Sequence, residues 1–301
     1  RCVDGGVRPS GVTVVSGYDT LFVDLDGVVY RGRNAVPHAV DVLSTFGGRV
    51  LFVTNNASRT PKTVAAQLTG YGLKVEAADV VTSAQAAAAH LATLVPPGAR
   101  ILVTGGDGLV EAVTEQGLRV VTSADEADAV VQGYSPKLAW KDLAEASYAL
   151  ARGIPWVASN TDMSVPTARG IAPGNGTLVA AVASATGRVP IVTGKPHAPI
   201  MELARSRAHS DRPLVIGDRL DTDIAAANAA GMESLLVLTG VNQWPDLLEI
   251  PAADLPTKVA PDLRVLAGHT DAATQLLDDL LRGLKAGDDV SRTVASLHQL
   301  P

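Results

Sequence analysis

Two acids close an apolar run in the segment LFVDLDGVVY, where Asp24 and Asp26 follow Leu21, Phe22 and Val23 and precede Gly27. Residues two apart in an extended chain share a face, so both carboxylates would stand side by side at a strand end. Neighbouring carboxylates repel and raise one another's pKa unless a cation lies between them. A hard, oxygen-seeking ion such as Mg²⁺ suits that position, and Gly27 lets the backbone turn sharply or approach an anion. The same residues also make an ordinary turn after a strand. On their own they leave both readings open.

Three other stretches carry useful groups at comparable places. Phe52-Val53-Thr54-Asn55-Asn56 ends in a hydroxyl and two amides, which can donate to phosphate oxygens or cap the next helix. Gly194-Lys195-Pro196 offers a lysine, a compact positive charge suited to phosphate and equally common on a solvated surface. Gly217-Asp218-Arg219-Leu220-Asp221-Thr222-Asp223 crowds three acids together. Helix N-termini favour acids, which accounts for one or two of them; a metal ion accounts for the cluster better.

Each stretch follows a short, nearly continuous apolar run. Such runs occur at 20–26, 49–55, 99–105, 128–134, 155–160, 190–194, 212–218 and 234–240, and they read as strands covered on both faces. Helical segments alternate with them at 61–71, 83–94, 108–116, 141–152, 176–186, 197–206 and 222–230. This alternation predicts an α/β fold with a doubly wound parallel sheet, whose ligands bind outside the carboxyl ends of the strands. Four chemically equipped strand ends would then converge on one site.

Bulk properties narrow the classes. The 301 residues carry a formal net charge of −6 and are 47% hydrophobic, which argues against nucleic acid or an anionic membrane as the main partner. A single cysteine, Cys2, permits no intrachain disulfide, in keeping with a cytoplasmic location. No apolar run approaches the ~18 residues of a membrane span. Residues 1–17 are Gly-rich and patternless, and read as a flexible arm.

Taken in order, DLDGVVY, FVTNNASRT, GKP and GDRLDTDI resemble the four motifs of the haloacid dehalogenase-like phosphatases, and more narrowly the NagD and phosphoglycolate/pyridoxal phosphatase branch. The resemblance covers residues 18–245. It implies a Rossmann-like core with an inserted α/β cap, and a Mg²⁺-dependent phosphatase acting on a small phosphorylated metabolite. Under it Asp24 is the nucleophile that forms an aspartyl-phosphate, and Asp26 the general acid and base. Mg²⁺ would be held by the Asp24 side chain, the Asp26 carbonyl and Asp218, with Asp223 behind them or acting through water. Thr54, Asn55, Lys195 and Gly27 would surround the phosphoryl group, and Asp221 is left a solvated or Arg-paired role.

Between Asn55 and Lys195 lie 140 positions, far too many for a simple loop. The expected division is a core of 18–82 and 189–262, a cap of 83–188 and a helical tail of 263–301. Hinged at two points, such a cap could close and exclude water. Within it, Ser159-Asn160-Thr161-Asp162 to Pro173-Gly174-Asn175-Gly176 resembles the branch's specificity loop. Asn160, Met163, Val165, Pro166, Thr167 and Arg169 are therefore candidates to face the leaving group, with Tyr134 and Trp140 able to line the same cleft or pack in the core. The glycines of Thr104-Gly105-Gly106-Asp107-Gly108 lack the full dinucleotide-binding pattern and read as turns between cap and core. In the tail, Leu276, Leu277, Leu280, Leu281 and Leu284 form a helical stripe that docks on this chain or on a second copy, as in a homodimer. Two rival readings remain. One is a phosphotransferase or phosphomutase using the same phosphoaspartate; the other is a non-catalytic phosphate-binding protein.

Overall fold

The computed structural model describes residues 17–167 and 169–299. The expected arm, apart from Gly17, and Cys2 lie outside them. Two parallel sheets dominate. The larger has the strand order Lys258–Ala260, Glu233–Val237, Pro213–Gly217, Thr20–Val23, Arg49–Thr54, Val80–Thr82. From its central strand, Thr20–Val23, the chain builds first toward one edge and later toward the other. The switch between these directions opens a crevice at the carboxyl end of that strand, where Asp24 emerges.

Alternation explains the double-sided burial. Leu21 and Val23 pack into one apolar cluster with Val64, Leu68 and Leu263, while Phe22 faces another containing Ile200, Met201 and Ala226. All three strand residues are fully buried, so a charge midway along this strand would have no water to face. At its end the helices no longer cover it, and acids become tolerable.

The second sheet has the order Ile191–Val192, Trp156–Ala158, Ala129–Gln132, Arg100–Thr104, Arg119–Val121, again parallel. Helix Ser83–Ala92 connects the two. Ala84, Ala87, Ala88 and Leu91 pack beneath the second sheet, while Ala86 joins the cluster of the first. Its small side chains let a single helix lie close to both.

Ile191–Val192 corrects the expected 188/189 boundary. Those residues pair with Val157 and Ala158 as an edge strand of the second sheet, so the chain returns to the first sheet only around Thr193–Lys195. Other strands too short for a periodic pattern also form: Val80–Thr82, Arg119–Val121, Lys258–Ala260 and two antiparallel hairpins, Tyr30–Arg31 with Asn34–Ala35 and Ser164–Thr167 with Gly170–Pro173.

The tail stripe docks on its own chain. Helix Ala272–Ala286 is capped by Asp271, whose side chain accepts from Thr274 N–H at 2.9 Å. It buries Leu277, Leu280 and Leu281 against Leu236, Leu247 and Val259. Among the described residues no helix is long and apolar enough to cross a membrane.

Candidate active site

Asp24, Asp218 and Asp223 come together from two strand ends and one helical turn, with a carboxylate oxygen of each within 4.8 Å of the others. Asp223 reaches this position through a wide turn at Leu220–Ile224, in which Ile224 N–H bonds to Arg219 O at 3.1 Å. Wide turns of this kind re-aim side chains and recur at functional sites. Gly217 makes the approach possible, since a Cβ there would sit 2.1 Å from that of Asp223.

Lys195 lies among these acids, 3% exposed. Its ammonium donates to Asp24, to Asp223 at 2.7 Å and to the Val53 carbonyl at 3.1 Å. All three protons are used. Burial alone would lower its pKa, but Asp223 and Asp24 outweigh that and hold the ammonium charged. For Asp24 burial wins: it pushes the carboxyl well above its usual range, Lys195 opposes this, and Asp223 and Asp218 add to it.

Asp218 is 2% exposed and is pushed up to about 6 by burial and by Asp223. Its Oδ2 accepts from Val241 N–H at 2.7 Å. Gly27, at φ +84°, and Gly240 leave room for this carboxylate, since a Cβ on either would meet Oδ2 at 2.3 or 1.8 Å. Gly27, expected beside the phosphate, is thus required next to Asp218. Asp26 stands exposed at the cleft wall, yet the walls withdraw enough water to raise its pKa, against the pull of Arg59 and Lys195.

Four carboxylates therefore face one buried ammonium, and three of them can share an ion. An all-oxygen, partly water-excluded donor set of this kind fits a hard divalent cation. The residues present suit Mg²⁺.

The remaining expected residues divide. Thr54 is buried at its strand end and borders the cleft, with Oγ1 accepting from Asn56 N–H at 3.1 Å. Asn55 uses its amide on protein. Oδ1 accepts from Lys195 N–H at 2.8 Å, and Nδ2 donates to Lys195 O at 3.0 Å and to both oxygens of Asp162 at 3.2 Å. Asn160 is also turned inward, donating to Asn55 O at 2.8 Å.

Val165 and Pro166 line the ≈ 530 Å³ cleft, as does Tyr134. Arg169 does not; it sits exposed beside the hairpin tip, its N–H on Thr167 Oγ1 at 3.2 Å. Trp140 is 78% exposed and joins neither core nor cleft. Asp221 is paired to Arg219 by two bonds of 2.9 and 2.6 Å. Gly106 and Gly108 lie against the backbone of Ser58 and Arg59, where one sheet's loops touch the other's.

Sequence reasoning passed over Asp162, Arg59 and Arg31 as cleft or site residues. Asp162 had a signal, an acid two positions after Asn160 in a stretch already singled out. Arg59 lies within FVTNNASRT, where nothing sets it apart from its neighbours, and Arg31 has no signal.

This architecture is that of a haloacid dehalogenase-like hydrolase. A profile of haloacid dehalogenase-like hydrolases matches residues 21–119, and a HAD-hydrolase-like profile matches residues 192–266. The chain belongs to this family, in its NagD-like branch. It is 48% identical to a D-glycerol 3-phosphate phosphatase of Mycobacterium tuberculosis, over 86% of this chain and 73% of that one. A crystal structure of a glycerol phosphate phosphatase from the same organism, in complex with magnesium, superposes with a TM-score of 0.83 at 48% identity, covering 88% and 80% of the two chains. A p-nitrophenyl phosphatase from Archaeoglobus fulgidus gives 0.76 at 32% identity, covering 83% and 98%.

Proposed function

We infer that this chain is a Mg²⁺-dependent phosphoric monoester hydrolase of small phosphorylated metabolites, working through a phosphoaspartate at Asp24. The observation that carries the mechanism is the Asp24–Lys195–Asp223 contact beside Asp218, a nucleophile fixed by a buried cation in an acid cluster. When bound by Asp24, Asp218 and Asp223, Mg²⁺ would supply the positive charge that lets an anion approach a phosphate.

Lys195 fixes one oxygen of Asp24 and opposes its protonation. The free carboxylate oxygen attacks phosphorus, and the bond from phosphorus to the alcohol oxygen breaks. Asp26, whose pKa is raised by desolvation at the cleft wall, gives its proton to the leaving alkoxide. As a carboxylate it then takes a proton from water, whose oxygen attacks phosphorus and releases inorganic phosphate, restoring Asp24. Thr54 borders the place of the transferred group's oxygens, and Lys195, its protons held by Asp24, Asp223 and Val53 O, adds positive charge beside them, since that charge must be held throughout.

The stretches 18–82 and 193–262 serve as the core, and the second sheet as a cap that roofs the cleft with Val165, Pro166 and Tyr134. That roof is small and mostly uncharged, which supports a compact leaving group. Glycerol phosphate is the first candidate, in line with the 48%-identical relative. The reading includes a cytoplasmic location and no nucleic-acid or membrane partner, in keeping with the net charge of −6. A homodimer would pair through a face other than the covered tail stripe. Steady-state kinetics over a panel of phosphorylated metabolites with Mg²⁺, ranked by kcat/KM, tests the proposal. Glycerol phosphate should rank near the top; no phosphate release from any member, p-nitrophenyl phosphate included, would sink the reading.

A further inference from the structure

Lys195 acts at the core sheet, yet it follows the second sheet's edge strand Ile191–Val192 by only three residues. Movement of the cap would drag it out of place unless something held its backbone. Asn55, at the end of the core strand Arg49–Thr54, does so with a paired bond to Lys195 N–H and O. The neighbouring Gly194 has no room for a side chain: a Cβ would lie 2.3 Å from Ser159 O and 2.7 Å from Asn55 Oδ1.

The same amide also reaches the cap, where Asn55 Nδ2 bonds both oxygens of Asp162 at 3.2 Å. Asp162 is tied to cap elements, its N–H on Asn160 Oδ1 at 3.2 Å and its carbonyl accepting from Gly176 N–H at 2.9 Å. Asn160 in turn donates to Asn55 O. A carboxylate lining a cleft that receives a phosphate dianion repels it. Asp162 therefore needs a reason to be there other than contact with the phosphate.

We propose that Asp162 is a positioning residue: through Asn55 it makes the seating of Lys195 depend on the seating of the cap, so that the lysine is aligned only when the cleft is roofed. The proposal rests on the phosphatase reading above. A lysine displaced by even an ångström leaves the nucleophile misaligned, a loss on the order of 10²-fold in rate.

A double-mutant cycle tests this, using Asn55→Ala, Asp162→Ala and the double variant with Mg²⁺, on p-nitrophenyl phosphate and on glycerol phosphate. Each single substitution should lower kcat on the order of 10²-fold, by the same factor for both substrates. KM should stay level or fall in Asp162→Ala, which removes a repelling charge. The double variant should be no slower than Asn55→Ala alone, the non-additivity of groups acting as a unit. Asp162→Asn keeps an acceptor for Asn55 and should recover much of the rate; Asp162→Leu, similar in size and without an acceptor, takes the place of Asp162→Ala in the cycle if that variant does not fold. Multiplying losses, or a KM rise that depends on the alcohol, would overturn the coupling. A wild type that releases no phosphate sinks the phosphatase reading instead, whereas an active wild type with multiplying losses sinks only the coupling.

Discussion

The two parallel sheets present their carboxyl ends to one cleft and furnish them in opposite ways. The six-stranded sheet ends in charge: Asp24 and Asp26 after one strand, Asp218 after another, and Asp223 on the turn beyond it. The five-stranded sheet ends in neutral groups, with Thr104, Gln132, Ser159 and Asn160 all buried. Of the two charged groups it brings to the cleft among the described residues, Lys195 is handed across to the acids and Asp162 is held by the Asn55 amide. Charge held rigidly is what phosphoryl transfer needs, since the reaction is mainly a matter of placing and neutralising charge. A moving roof is better built from groups that lose little when their surroundings change. The division places chemistry on one sheet and access on the other.

Removing the charge that the second sheet lends should be the most damaging change. Lys195→Met leaves Asp24 and Asp223 buried without a counter-ion, a loss of about 3–5 kcal/mol in stability together with loss of turnover. Thermal and urea melts with and without Mg²⁺ check this. The metal should restore part of the stability; equal stability of variant and wild type in chelator would break the contrast.

Next is a pH effect confined to the charged end. Asp218 is held at about 6 when folded, against 3.8 in the ordinary carboxyl. Between those values the metal-free native state binds more protons than the unfolded chain, so its stability falls as pH rises through the window. The full loss is roughly 3 kcal/mol at about 1.4 kcal/mol per unit. Mg²⁺ favours the ionised carboxylate, so saturating metal should flatten the profile. Urea midpoints from pH 4 to 7, in chelator and in Mg²⁺, measure both arms; a flat line in chelator would contradict the burial of Asp218.

The smallest effect belongs to the neutral end. Gln132 is fully buried, and neither polar atom of its amide has a partner. Gln132→Met, similar in shape and free of that desolvation, should be neutral or stabilising by up to about 1 kcal/mol, with kcat unchanged. A loss above about 2 kcal/mol would mean the amide has a partner and the cap end is more polar in function than its composition suggests.

The charged end was also the more legible in sequence. Asp24, Asp26 and Asp218 each follow an apolar run long enough to recognise, and strand direction alone carries them to one edge, whereas Lys195 follows a strand of the other sheet. Asp223 followed from the family motif, but its wide turn did not, because nothing in Leu220–Ile224 distinguishes that turn from an ordinary helix start. Legibility failed where partners are distant in the chain. Asn55 reads as a phosphate donor until Lys195 and Asp162 are seen to occupy its amide, and those contacts span 140 and 107 positions. The edge strand Ile191–Val192 has two residues, too few to reveal which sheet it joins. Arg169 belongs to the stretch that resembles the specificity loop, but it sits beside the hairpin tip, away from Val165 and Pro166, which line the cleft.

Hydrolysis at this site requires a covalent bond between phosphorus and Asp24. Protein mixed with Mg²⁺ and p-nitrophenyl phosphate, quenched in acid within the first turnover and digested for mass spectrometry, should carry one phosphoryl group on the Asp24 side chain. It should be absent from Asp24→Asn. Rapid phosphate release with no label at any early time, or a label on another residue, would contradict it.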